Sequence, residues 1–316
     1  LSNSVLKVDM SMMKKIESHY SQYKGDKLPP GSVFVAKLPS CTITGYKSGK
    51  VLFQGGSAEA ESSKWAGSHS EQTSKSSKNV AAKARVKHEF SPPKEIATLS
   101  IIGSDEVGTG DYFGPMTVVA SYVSKDQVPL LTELGVKDSK NLNDKQICEI
   151  AKNIIEVIPY SLLILHNPKY NKLQSSGMTQ GKIKALLHNQ AINHLLEKIA
   201  PTTPDGILID QFAEPGVYFR HLQGQGKIAK ENVFFSTKAE GVHLSVAASS
   251  IIARYAFVKE FEKLSKKAGV ELPKGAGAKV DVAAAKLIKK LGVEALGDYT
   301  KLHFANTDKA KKIANT

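Results

Sequence analysis

Apolar residues recur along this chain in two rhythms. From about residue 96, short apolar runs alternate with longer segments in which apolar residues return every three or four positions. The runs predict strands at 98–104, 116–124, 160–166 and 206–210, with a further one near 232–236. The spaced segments predict helices at 143–157, 180–199, 243–265 and 281–291. Two strands in a row and then α/β alternation imply a mixed sheet with helices on its faces. Asn143 suits an N-cap, and Pro201 and Pro204 stop the long helix before the strand at 206–210.

Upstream, residues 1–55 read as a small α+β unit. A strand at 1–8 is followed by a helix at 10–20, with Met12, Met13, Ile16 and Tyr20 available to one face. Pro29, Pro30 and Gly31 break the chain. Three short strands then fall near 33–38, 41–46 and 51–54, with a hairpin turn at Lys47-Ser48-Gly49-Lys50. A curved sheet with basic turns and exposed Tyr46 and Gln54 is suited to lie on a duplex, with Lys47 and Lys50 as candidate contacts. Residues 56–95 are rich in Ser, Ala, Lys and Glu and close on Pro92-Pro93, so they read as a flexible linker. Trp65 is out of place there and is suited to dock on a domain. The expected organisation is 1–55, linker 56–95, and a larger domain at 96–316.

Composition narrows the class. A chain of 316 residues, 41% hydrophobic, can hold two domains or one large core. It lacks an apolar run of about 18 residues and a signal-peptide pattern, so no membrane association is expected. Cys41 and Cys148 have no zinc spacing and read as reduced thiols of a cytoplasmic protein. The net charge of +13 favours a polyanionic partner, most simply nucleic acid. Lys and Arg outnumber Asp and Glu by 15 to 8 in residues 1–95 and by 28 to 22 in the remainder, so the N-terminal part is more basic per residue. Nothing in the pattern asks for an oligomer, and a monomer is expected.

The candidate chemistry begins at Ser104-Asp105-Glu106-Val107-Gly108-Thr109-Gly110-Asp111-Tyr112-Phe113-Gly114-Pro115. Two acids at the end of an apolar strand cost desolvation energy unless paired, hydrogen-bonded or bound to a cation. Hard oxygen ligands suit Mg²⁺ or Mn²⁺. Asp210 closes a second apolar run in the same way, and sites of open α/β sheets gather at that edge. A fourth acid is Glu214 or Glu240. Glu240 is favoured because it precedes a helix of small residues that can pack close to a sheet. The glycines do not have the G-x-G-x-x-G spacing, and the preceding acids would repel a pyrophosphate, which argues against a dinucleotide enzyme. A non-catalytic nucleic-acid-binding protein is the other rival.

Three segments carry a resemblance. The run from Gly103 to Pro115 resembles the first motif of type 2 ribonucleases H. Val136-Lys137-Asp138-Ser139-Lys140-Asn141-Leu142 resembles their Asp-Ser-Lys-x-Leu motif, and Thr237-Lys238-Ala239-Glu240 with the helix after it resembles their Lys-Ala-Asp/Glu helix. Gly108-Thr109-Gly110 in place of Gly-Arg-Gly, a Glu at the fourth acidic place and the extra N-terminal domain resemble the bacterial ribonuclease HIII branch. The resemblance implies an RNase H-like mixed sheet with flanking helices and a small TATA-binding-protein-like N-terminal domain. It implies cleavage of the RNA strand of RNA/DNA hybrids with Mg²⁺, or Mn²⁺ as a substitute, giving 5′-phosphate and 3′-hydroxyl ends. Matched by motif, the metal-binding acids are Asp105, Glu106, Asp210 and Glu240. Gly108, Thr109, Gly110 and Lys140 would meet the ribonucleotide strand. Asp111, Glu214 and Asp281 match no catalytic position, and His243 is either a proton shuttle or a structural residue.

Overall fold

The computed structural model describes residues 3–25, 28, 32–47, 49–65, 89–137 and 139–315. The chain divides into two compact units, Leu1–Lys87 and His88–Thr316.

In the first unit four antiparallel strands stand in the order β1, β4, β3, β2. They are β1 (Asn3–Lys7), β2 (Ser32–Lys37), β3 (Thr42–Tyr46) and β4 (Lys50–Gln54). Helix α1 (Met10–His19) is capped by Asp9, whose side chain accepts from Met12 N at 2.7 Å. It lays Met13 and Ile16 onto Phe34, Ile43, Val51 and Phe53. Alternation within the strands turns the opposite side chains outward, including Lys7, Lys37, Lys50 and Gln54, all exposed. Helix α2 (Ala58–Ser63) falls in the stretch read from sequence as linker. Ala58 is fully buried in the core, and Glu61 accepts from Tyr20 Oη at 2.6 Å. Trp65 docks here, donating from Nε1 to Tyr20 Oη at 3.1 Å. The apolar content of 58–65 was too sparse to reveal this packing. The rest of the expected linker up to residue 88 lies outside the described residues.

The second unit is built on a five-stranded mixed sheet, ordered β7, β6, β5, β8, β9. The strands are β5 (Ile101–Val107), β6 (Met116–Val123), β7 (Tyr160–Leu165), β8 (Gly206–Asp210) and β9 (Val233–Ser236). The pairs among β5, β6 and β7 are antiparallel, and β5, β8 and β9 run parallel. Strand β5 sits three residues later than the sequence pattern placed it. Residues 96–98 form a 3₁₀ turn instead, and Ser100 N is held by Asp205 Oδ2 at 2.8 Å. Antiparallel pairing with β6 carries β5 through Asp105↔Val119 and Glu106↔Val118, so both acids lie inside the strand.

Side-chain alternation along β5 then decides which helix each acid meets. Gly103 faces α8 (Leu244–Ala268), where an added Cβ would come 2.3 Å from the Ser245 and Val246 backbone. Only glycine fits that approach. The small residues of α8 seal it further: Ser249 Oγ donates to Gly103 O at 2.9 Å and Ser121 Oγ to Ser245 O at 2.9 Å. On the other face lies α6 (Gln180–Ile199), with Ile183, Ala191, Ile192 and Leu195 packed on Ile102, Val118 and Ile209. Helix α4 (Asp144–Ile154) starts with the expected Asn143 cap and a reciprocal bond from Gln146. The sequence pattern missed α3 (Val128–Glu133), α5 (Asn167–Ser175), α7 (Pro215–His221), α10 (Leu296–Tyr299) and α11 (Asn306–Ala314). All are under three turns, too short for a 3.6-residue rhythm to show. Helix α9 (Ala278–Leu291) contains the expected 281–291 segment. Among the described residues no helix is long and apolar enough to cross a membrane.

Candidate active site

Asp105 and Glu106 point to opposite faces of β5. Parallel pairing with β8 ends at Ser104↔Ile209, so Asp210 comes next in line beside Asp105. After β9 the chain turns through Lys238, whose φ of +58° is left-handed. That strained turn aims Ala239 N at Asp210 Oδ1, 2.8 Å away, and leaves Glu240 buried just before α8. The sheet and this turn thus draw the four acids into one electrostatic group.

The group is short of positive charge at its centre. Burial pushes the Asp105 carboxyl well up, and Glu106, Asp210 and Glu240 push it further, against a hydrogen bond from Ser250. Burial also raises Asp210, assisted by Glu106 and Glu240 and opposed by Ala239 N and Lys140. Glu106 behaves differently. Burial would raise it, but His188 and Lys184 outweigh burial and hold it below the usual carboxylate range. Lys184 Nζ donates to Oε1 at 2.6 Å, and His188 Nε2 lies 2.9 Å from Oε2. Ser104 Oγ donates to Val119 O at 3.0 Å and lies 2.7 Å from His188 Nδ1, so both ring nitrogens face acceptors.

Glu240 is oriented by the turn at Ser139–Asn141. Ser139 N and Oγ each donate to Oε2 at 2.8 Å, and Lys140 Nζ lies 3.2 Å from Oε1. Arg254 fastens that turn by donating to Ser139 O and Leu142 O at 2.9 and 3.0 Å. The glycine-rich loop after β5 is fastened from the other side. Gly108 has φ +93°, with Pro115 O only 2.2 Å from where a Cβ would stand, so the tight turn requires glycine. Thr109 O accepts from Gln180 Nε2 at 3.2 Å. Fully buried Lys301 donates to Asp111 O at 2.8 Å and Gly114 O at 2.7 Å, and burial pulls its ammonium down to about 8. Gly110 is exposed, with nothing within 4 Å of a would-be Cβ. The loop therefore offers open backbone beside the acids.

The remaining candidates separate cleanly. Glu214 is exposed at the start of α7, away from these contacts. Asp111 Oδ1 accepts from Gly275 N at 2.6 Å, and Asp281 accepts from Asn306, so both serve the fold. His243 caps α8: its Nδ1 accepts from Ser245 N at 3.0 Å, which leaves Nε2 to donate to Leu99 O at 3.1 Å. Burial lowers its pKa to about 4, so it stays neutral and locked, a structural residue and not a shuttle. Lys47 and Lys50 are exposed in the N-terminal unit. Sequence reading missed Lys184, His188, Ser139 and Ser250. The signal for the first two was polar residues four apart on the apolar face of α6.

A divalent cation suits this donor set, which is all carboxylate oxygen. Among the described residues no three His, Cys, Asp or Glu side chains form a ready cation cage, because each acid leans on a protein donor.

The family model for Ribonuclease HII matches residues 102–307, and a domain of unknown function matches 3–78. The chain belongs to the ribonuclease HII family. Ribonuclease HIII of Bacillus mycoides (strain KBAB4) is 58% identical over 314 residues, 99% of each chain. Ribonuclease HIII of Bacillus anthracis (strain A0248) is 58% identical over 315 residues, again 99% of each. Among solved structures, Bst-RNase HIII in complex with Mn²⁺ matches with a TM-score of 0.68, 47% identity and 99% coverage of both chains. The mixed sheet with its flanking helices is the RNase H-like fold of this family, and Asp105, Glu106, Asp210 and Glu240 all lie within the residues its model matches.

Proposed function

We propose that this ribonuclease hydrolyses the RNA strand of RNA/DNA hybrids as an endonuclease, leaving 5′-phosphate and 3′-hydroxyl ends. The observation that carries the reading is the gathering of four acids at the edge of an RNase H-like sheet, with Asp105 and Glu240 buried there. Asp105, Glu106, Asp210 and Glu240 would hold two Mg²⁺ or Mn²⁺ ions, which supply charge neutralisation at the phosphate, an acidified water and a stabilised leaving 3′-oxygen.

The chain's own groups do the rest. Ser139 fixes the Glu240 carboxylate and Ala239 N fixes that of Asp210, so neither must reorganise during turnover. The backbone of Gly108, Thr109 and Gly110 meets the ribonucleotide strand, its N–H groups reaching phosphate and 2′-hydroxyl, the group that separates RNA from DNA. Lys140, exposed beside Glu240, adds a phosphate contact. In the N-terminal unit, the outward lysines of the sheet and the turn with Lys47 and Lys50 track the hybrid backbone. Free thiols at Cys41 and Cys148 fit a reducing compartment, and we place the enzyme in the cytoplasm as a monomer.

The test is cleavage of an end-labelled RNA/DNA hybrid with and without Mg²⁺. Metal-dependent cuts in the RNA alone, with DNA duplex untouched, are expected. An intact hybrid, or equal cutting of the DNA strand, would reject the reading.

The choice of fourth acid gives a separate expectation. Glu240→Gln should reduce turnover by about 10²-fold or more, comparable to losing a positioned group at a reacting centre. Glu214→Gln should stay within about twofold, as for an exposed side chain at a helix start. The reverse ranking of the two rate constants would exchange their roles.

A further inference from the structure

Glu106 is the acid whose two oxygens are both taken by nitrogen-bearing side chains of one helix. Lys184 and His188 stand four residues apart on α6, so they share a face. Both are buried. Phe212 lies against the pair, its ring stacked on His188 with centroids 5.1 Å apart. Lys184 Nζ is 4.2 Å from the centroid of that same ring.

The two residues are anchored differently. His188 is short, fully buried, pinned through Nδ1 to Ser104 and covered by Phe212, so it has nowhere to go. Lys184 has a flexible four-carbon stem, and its ammonium already rests over the Phe212 ring face while it holds Oε1, a contact it can keep when the carboxylate is taken. A nearly buried ammonium needs a matching charge, and among the described residues Glu106 supplies it. If Glu106 also binds a divalent cation, as the proposed function requires, two cations compete for Oε1.

We propose that Lys184 is a resident counter-cation at Glu106: it neutralises the acid in the metal-free enzyme and must leave Oε1 when a divalent cation binds, while His188 keeps the carboxylate oriented. Metal affinity is then set partly by the strength of a protein ion pair. Lys184 lowers affinity and prevents an unpaired buried carboxylate in the interval before metal arrives. This inference rests on the reading of Glu106 as a metal ligand.

The experiment is calorimetric titration of the metal-free, full-length protein with MnCl₂. Lys184→Met should bind Mn²⁺ about tenfold more tightly than the parent, within the range of coupling between contacting charged groups. Lys184→Arg, which keeps the charge, should bind like the parent. In a Glu106→Gln background, Lys184→Met should give no gain. An unchanged or weaker affinity for Lys184→Met overturns the proposal. Lys184→Gln, neutral but polar, gives the same comparison where circular dichroism shows the methionine variant unfolded. Glu106→Gln alone tests the underlying reading. If it leaves Mn²⁺ affinity intact, Glu106 is no ligand, whereas weakened binding there with no gain from Lys184→Met refutes only the role of Lys184.

Discussion

Asp105→Asn is expected to give an enzyme that is more stable without metal and inactive with it. Asp105 is the centre of the acidic group, 6% exposed, its carboxyl pushed up first by burial and then by Glu106, Asp210 and Glu240. A carboxyl with a folded-state pKa above its unfolded value keeps a proton that the unfolded chain has released. Stability then falls as pH rises from about 3.9 through the raised folded value, and the penalty stays in force above it. Asparagine carries no such penalty and retains an oxygen for the Glu106 N–H bond of 2.7 Å. Calorimetric scans in chelator over a series of rising pH values should therefore show the variant melting higher by about 2–4 °C per kcal/mol recovered, with the gap widening as pH rises through the raised folded value. Turnover should fall by about 10³-fold or more, beyond the loss from one oxyanion donor, because a metal-binding charge is gone. Hybrid binding should persist, since removing negative charge does not weaken contact with phosphate. Near-normal turnover would remove Asp105 from the metal-binding set.

The second large effect is expected in the N-terminal unit. Replacing Lys7, Lys37 and Lys50 together by Glu reverses the charge of the outward sheet face without touching the core of Met13, Ile16, Phe34 and Phe53 beneath it. KM for a long hybrid should rise by about 10-fold to 100-fold with kcat little changed, because a tethered module acts through effective concentration. The slope of log affinity against log salt should flatten by roughly 0.7 to 0.9 for each phosphate that is no longer neutralised. Circular dichroism should report an unchanged fold. Unaltered KM and salt slope would mean that this face does not meet the hybrid.

The two acids at 105 and 106 show what the sequence makes legible and what it withholds. Their position after an apolar run was enough to mark a strand carrying charge into a site, and Asp210 was readable for the same reason. Their location inside β5 was not readable, because antiparallel pairing with β6 extends the strand three residues past the point where apolar residues stop. Glu240 was separable from Glu214 by the small residues of α8, a packing argument available from sequence alone. Lys184 and His188 were hidden because their meaning depends on which face of β5 lies over α6, a tertiary fact. The helix at 58–63 was hidden by composition: its stability comes from Ala58 and Glu61 meeting the sheet and Tyr20, and not from its own propensity.

The pleat of β5 acts as a phase selector for the acids. Gly103 and Asp105 share the α8 side, while Ser104 and Glu106 share the α6 side. One residue inserted before Ser104 would invert that assignment. Asp105 would be delivered to Lys184 and His188, and Glu106 to a cluster of hydroxyls and carboxylates. The parity of the strand, and not the identity of the acids, therefore determines which carboxylate meets Lys184 and His188 and which faces the other acids. An insertion of two residues would restore the parity while moving the pair about 7 Å along the strand.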